Sequence, residues 1–169
     1  MPVNRGRYFY WDSSVFTAYA KQEPGRVDII ETLWGEIAAH SEDRIVTSTL
    51  SIAEVVHGGA LKLGHPLPPA MIARIDAIWT DPSVMVIEVP EVVMYHARDL
   101  MREGYTHSWS LQPYDAVHLA TAWWLHQNVH PIHIIHGYDR GWPKFTPLVG
   151  GLVIAEPSVL VATQTRFAT

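Results

Sequence analysis

Four carboxylates, Asp12, Glu54, Asp115 and Asp139, recur where apolar runs of the chain meet polar breaks. Asp12 closes the aromatic run Tyr8-Phe9-Tyr10-Trp11 and is followed by Ser13 and Ser14. Asp139 follows Pro131-Ile132-His133-Ile134-Ile135-His136 after the short turn Gly137-Tyr138. Glu54 sits one turn into an apolar stretch around Leu50, Ile52, Ala53, Val55 and Val56, and Asp115 lies just behind Pro113 at the start of an alanine-rich one. Singly, each acid has an ordinary explanation, since a carboxylate in the first turn of a helix offsets the helix dipole by roughly 0.3 to 1 kcal/mol. Four acids at equivalent points of one alternating pattern point instead to a shared cleft. Crowded carboxylates repel one another, which implies shifted pKa values or a bound cation, and oxygen-only donors select Mg²⁺ or Mn²⁺ over Zn²⁺. The histidines do not supply a rival zinc site. His130, His133 and His136 recur every third residue, a spacing that alternates faces in a strand, and hydrogen-bonded structural roles account for them better. His118, one turn beyond Asp115, is placed to meet substrate or a water at the metal.

The elements that must position these acids follow from periodicity. Tyr8 to Trp11, Arg44 to Thr47, Val84 to Val89, Pro131 to His136 and Leu152 to Ala155 read as strands, short and rich in β-branched or aromatic residues. Between them, Ser13 to Lys21, Pro24 to His40, the segment after Ser48 or Thr49, Ala70 to Trp79, Glu91 to Glu103 and the segment from Pro113 read as helices. Gly58 and Gly59 loosen the third of these, Gly104 reads as the residue just past a helix end, and Tyr105 to Leu111 as a loop. The alternation predicts an α/β fold with three α/β/α layers around a parallel sheet of four to five strands. In such a sheet Asp12 and Asp139 follow strand ends, while Glu54 and Asp115 start helices at the same edge, where ligands bind.

Composition narrows the function classes. The 169 residues, 48% hydrophobic, predict one domain spanning 1–169, with its core over about 8–156, a polar leader to Arg7 and a tail from Glu156 that is disordered or packs on a partner. Cysteine is absent, which excludes disulfides and thiolate metal sites and makes the cytoplasm the default. Neither a secretory leader nor an apolar run of about 18 residues is evident, so a soluble protein without a membrane role is expected. With 12 Lys and Arg against 17 Asp and Glu, the formal charge of −5 argues against gripping nucleic acid by bulk charge, so such a role needs a local site.

The segments Tyr10-Trp11-Asp12-Ser13-Ser14, Ser48 to Glu54, Tyr114-Asp115-Ala116-Val117-His118-Leu119-Ala120-Thr121-Ala122 and Ile134 to Asp139 resemble the motifs of PIN-domain ribonucleases, especially VapC-type toxins of toxin–antitoxin pairs. The resemblance covers about residues 8–156, and its most specific part is the helix led by Asp115. It implies a PIN-like fold in which Asp12, Glu54, Asp115 and Asp139 hold Mg²⁺ or Mn²⁺ and Ser14 supports the first acid. It further implies hydrolysis of RNA phosphodiester bonds, a small antitoxin as partner and a homodimer. RNA would enter as an exposed strand, its phosphates meeting Arg140 or Lys144 and its bases meeting Trp109, Tyr138 or Trp142, aromatics whose ordinary role is packing. Two features depart from the family pattern. Gly137 stands where the family has Thr or Ser, so a hydroxyl behind the acids is missing, and Tyr10 and Trp11 are bulky. Two rivals follow. A phosphoryl-transfer fold with Asp12 as nucleophile would carry an acid two residues on, where Ser14 stands. A catalytically weak PIN-like module would bind RNA or protein without cutting.

Overall fold

A computed structural model describes residues 6–60 and 66–160. Five strands, β1 (Tyr8–Trp11), β2 (Arg44–Ser48), β3 (Val84–Ile87), β4 (Ile132–His136) and β5 (Ile154–Ala155), form one sheet in the order β3-β2-β1-β4-β5. Every pairing is parallel. Crossovers that contain helices bury both faces of such a sheet, which explains the nearly continuous apolar sequence of β1 and β2. One face packs beneath α1 (Ser13–Ala20), α2 (Val27–Ala38) and α4 (Pro69–Thr80), with Phe9, Trp11 and Ile45 pointing into that core. The other packs beneath α5 (Glu91–Thr106), α6 (Pro113–Asn128) and a 3-10 helix, Trp142–Val149, with Tyr10 and Val46 pointing into it. α3 (Leu50–Ala60) follows β2.

The chain proceeds outward from β1 through β2 to β3 on one side, and places β4 and β5 on the other. The carboxyl ends of β1 and β4 therefore flank the topological switch point, the crevice where open α/β sheets bind ligands. Asp12 leaves β1 at this edge, and its backbone N–H still bonds the His136 carbonyl at 3.0 Å.

Several boundaries differ from expectation for identifiable reasons. Gly104 does not end a helix: α5 runs on to Thr106, and Gly104 is buried because a Cβ there would lie 3.0 Å from the Phe145 ring and 3.2 Å from the Trp109 carbonyl oxygen. Close packing, not a left-handed cap, explains that glycine. α3 continues to Ala60 through Gly58 and Gly59. At the start of the chain Arg7 is not a loose leader, since its guanidinium holds the buried Asp43 carboxylate at 2.7 and 2.9 Å and depresses the acid's pKa. The first residues of the tail also pack on the chain itself: Leu160 N–H donates to Glu36 Oε2 at 2.8 Å and its side chain packs against the Phe9 side of the core. Expectations for residues 1–5 and 161–169 lie outside the described residues.

The histidine argument needs the largest correction. Pairing of β1 with β4 shifts register between Tyr8, opposite Ile132, and Phe9, opposite Ile134. His133 is the extra residue of this bulge, which resets the alternation of faces. His133 and His136 therefore both meet the Phe9 ring, at centroid distances of 5.3 and 6.5 Å, instead of lying on opposite faces. His130 precedes the strand and stacks on Tyr8 at 4.3 Å. The three still form no metal-holding group among the described residues.

Candidate active site

Asp12 is held from beneath by its own loop. Its Oδ1 accepts from Ser14 N (3.0 Å), Ser14 Oγ (2.6 Å) and Val15 N (3.3 Å), so the acid caps α1 while remaining 4% exposed. Ser14 Oγ in turn accepts from the backbone N–H of Tyr138 at 3.0 Å, which ties the β1 edge to the β4 edge. Gly137 backs directly onto the same carboxylate, since a Cβ there would lie 3.0 Å from Asp12 Oδ2. The missing hydroxyl at 137 therefore leaves room for the acid, and a main-chain amide at 138 supplies the cross-link.

The other acids couple to Asp12 through Asp115. Burial first, and Asp115 as a lesser cause, push the Asp12 pKa up to about 6, with the Ser14 and Val15 donors of the loop opposing. Half-buried Asp115 is also raised, first by desolvation and then by the charge of Asp139, with Glu54 adding to it. Asp139 is exposed, and its Oδ1 accepts from Gly141 N at 2.6 Å. Glu54 comes from α3 and places Oε2 2.7 Å from His118 Nε2. Two open depressions flank the acids. One of about 640 Å³ is lined by Ser14, Thr17, Lys21, Arg26, Glu54 and Tyr114, among others. The other, about 240 Å³, is lined by Ser110, Gln112, Asp115, Asp139, Trp142 and Lys144, among others.

Comparison with known proteins settles the family. The family model "PIN domain" matches residues 9–142. The chain belongs to the PIN domain family. No curated protein sequence matches it significantly. Among solved structures, the PIN domain is similar to VapC20 of Mycobacterium tuberculosis, described as a Sarcin-Ricin loop cleaving toxin, with a TM-score of 0.57 and 19% identity, over 78% of this chain and 90% of that one. It is also similar to VapBC2 of Rickettsia felis, bound there to a promoter DNA fragment, with a TM-score of 0.63 and 11% identity, over 87% of this chain and 96% of that one. FitAcB of Neisseria gonorrhoeae follows with a TM-score of 0.59 and 16% identity, over 88% and 97%. At these identities the likeness is one of fold.

In this PIN domain the donor set suits a hard divalent cation: Asp12, Asp115, Asp139 and Glu54 offer only carboxylate oxygens, and the other three each couple by charge to Asp115. Among the described residues, no three His, Asp or Glu side chains close on a common point as a finished coordination cage. His118 lies behind the acids and meets Glu54. It is 1% exposed, with Nδ1 2.9 Å from Tyr10 Oη and Nε2 on Glu54. Arg140 extends into solvent, 94% exposed and 4.0 Å from Glu156, an ion pair of little energetic weight. Trp142 is a core residue, Trp109 packs between His107 and Phe145, and Tyr138 lies beneath the Arg26 guanidinium at 3.9 Å. Tyr114, 62% exposed in the first turn of α6, is an aromatic that lines the larger depression, a position that its place in the sequence does not reveal. Lys21 and Arg26 were missed because their neighbours carry no motif.

Two buried groups respond to acid in opposite directions. Burial drives the His136 pKa down from 6.5 to about 4, and its Nε2 has no hydrogen-bond partner among the described residues. The unfolded chain thus binds the proton more readily, and stability falls by about 3 kcal/mol as pH drops from 6.5 to 4. Asp12 is raised from 3.8 to about 6, so its contribution is present below 3.8 and lost as pH rises through 6, again by about 3 kcal/mol. Urea titrations in chelator are expected to find the wild type nearly flat between pH 6.5 and 4 with respect to these two groups. His136→Leu should gain stability on acidification and Asp12→Asn should lose it. Parallel pH profiles for all three proteins would contradict the assignment.

Proposed function

We propose that this PIN domain is a metal-dependent endoribonuclease, the toxin of a toxin–antitoxin pair, with Asp12, Glu54, Asp115 and Asp139 as the acids that hold Mg²⁺ or Mn²⁺. The supporting observation is the electrostatic coupling of acids from β1, α3, α6 and the turn after β4 at the switch point of the sheet. A divalent ion bound there would polarise the phosphodiester and lower the pKa of the attacking water.

The chain's own residues supply the rest. Ser14 fixes the rotamer of Asp12, and the Tyr138 amide fixes Ser14. Burial of Asp12 excludes bulk water from one side of the reacting phosphate and strengthens every interaction made there. A single RNA strand enters the larger depression, where Lys21 and Arg26 face its phosphates and Tyr114 offers a ring for base stacking. It leaves past Ser110, Gln112 and Lys144. With a formal charge of −5 these contacts are local: Lys21 and Arg26 share the depression with Glu23 and Glu54, and Arg26 is paired with Glu23 at 2.7 Å. The VapBC and FitAB neighbours support a small antitoxin as partner. A homodimer draws support from the exposed apolar residues Val92, Met94 and Tyr95 of α5. Among the described residues no helix is long and apolar enough to cross a membrane, and the proposed action on RNA implies a cytoplasmic protein.

Gly137, where the family pattern has a hydroxyl, motivates one second reading, a PIN-like module that binds RNA or protein without cutting. One assay separates the two. Purified protein incubated with structured and unstructured RNA should cleave only with Mg²⁺ or Mn²⁺ and stop on addition of excess chelator. Cleavage that persists in chelator rules out the metal mechanism, and retention of RNA without any cleavage selects the binding module.

A further inference from the structure

The buried contact between β1 and α6 is an unusual feature of this site. Tyr10 and His118 are 108 residues apart, yet Tyr10 Oη lies 2.9 Å from His118 Nδ1 and both side chains are at most 1% exposed. On the far side of the ring, His118 Nε2 lies 2.7 Å from Glu54 Oε2. Ser48 Oγ stands 3.4 Å from the same Nδ1. The three side chains thus form a line from the sheet to the cleft, Tyr10 to His118 to Glu54.

Physical chemistry gives this line a direction. The Tyr10 hydroxyl is fully buried against Nδ1 and can donate its proton to that nitrogen. With Nδ1 accepting, the imidazole carries its proton on Nε2, which donates to Glu54 Oε2, because the hydrogen bond at one ring nitrogen selects the proton position of the other. Glu54 arrives on a half-buried helix face by a long side chain, and one fixed donor removes much of its rotational freedom. We infer that Tyr10 and His118 are positioning residues that aim the Glu54 carboxylate into the acid cleft, with Tyr10 selecting the His118 tautomer that does so. This rests on the metal reading of the acids. It also assigns a purpose to the bulky Tyr10 before the first acid and to the histidine three residues after Asp115.

The test reads metal affinity and ring protonation instead of cleavage. Calorimetric titration of the purified protein with Mn²⁺ should give a dissociation constant weakened about 10- to 100-fold in His118→Leu, the range typical of groups that orient a metal ligand. Tyr10→Phe, which removes one oxygen, should weaken it several-fold, and His118→Gln, whose amide can still donate to Glu54, should recover part of the loss. Nitrogen-15 spectra of the His118 ring should report the Nε2–H form in the wild type and a mixture in Tyr10→Phe. If His118→Leu does not fold, Tyr10→Phe and the ring spectrum carry the test alone. Unchanged Mn²⁺ affinity in the variants, or a ring protonated at Nδ1 in the wild type, overturns the inference and leaves the nuclease reading standing. A wild type that takes up no Mn²⁺ overturns both, and RNA cleavage does not enter the decision.

Discussion

Asp115→Asn is expected to lower kcat for RNA cleavage by at least about 100-fold while changing KM little. That loss exceeds the 10- to 100-fold commanded by groups that merely orient a metal ligand. The residue lies in the first turn of α6, two positions after Pro113, half-buried and charge-coupled to Asp139 and Glu54, so removing one negative charge alters the electrostatics of the whole site. Asp12→Asn should have an effect of the same size without unfolding α1, because asparagine caps a helix as well as aspartate does. Single-turnover assays on a defined RNA at saturating Mn²⁺ check both. Wild-type kcat in either variant would remove that acid from the chemistry.

Thermal stability should carry the second large signature. In excess chelator the acids repel across a partly desolvated cleft, and Asp115→Asn should raise the melting temperature, since the charge that burial and Asp139 disfavour is gone. Dispersed acids that merely stabilise helix ends predict the opposite sign. Mg²⁺ or Mn²⁺ at a hundredfold excess over its dissociation constant should stabilise the wild type by about 2.7 kcal/mol, which for a chain of this size corresponds to roughly 5 to 10 °C. The same addition should move the Asn variant less. Scanning calorimetry of both proteins, with chelator and with metal, gives four midpoints. A wild type indifferent to both ions, paired with a variant that melts lower in chelator, would mean that these carboxylates serve the scaffold only.

The sheet and its helices were legible because each strand is a short apolar run and each helix repeats its apolar residues at helical spacing, from Phe9 and Trp11 to Ile30, Leu33 and Ile37. The expectation that the acids share one edge rested on that alternation. What escaped depended on distance in sequence or on a single inserted residue. No periodicity links Tyr10 to His118, whose meeting is decided by the register of β1 under α6. The bulge at His133 leaves no signature in a run of β-formers, yet it moves two histidines onto one face. Gly104 reads as a stop because glycine usually is one, and only the approach of Phe145 reveals it as a packing site. The 3-10 helix from Trp142 to Val149, containing Pro143 and Pro147, follows a three-residue period that the two prolines make resemble a loop.

Gly137 bears on how relatives of this protein should be recognised. A motif is a rule about side chains, and a search that demands a hydroxyl at this place would score the chain as degenerate. The tie between the two strand edges is made here by the main-chain amide of Tyr138 reaching Ser14, an atom that every residue except proline possesses and that no alphabet of one-letter codes records. The vacancy at 137 is filled by the carboxylate itself, 3.0 Å from where a Cβ would stand. In such lineages the tie between the strand edges depends on whether position 138 can donate and not on which residue stands at 137, and proline at 138 is the substitution that would remove it.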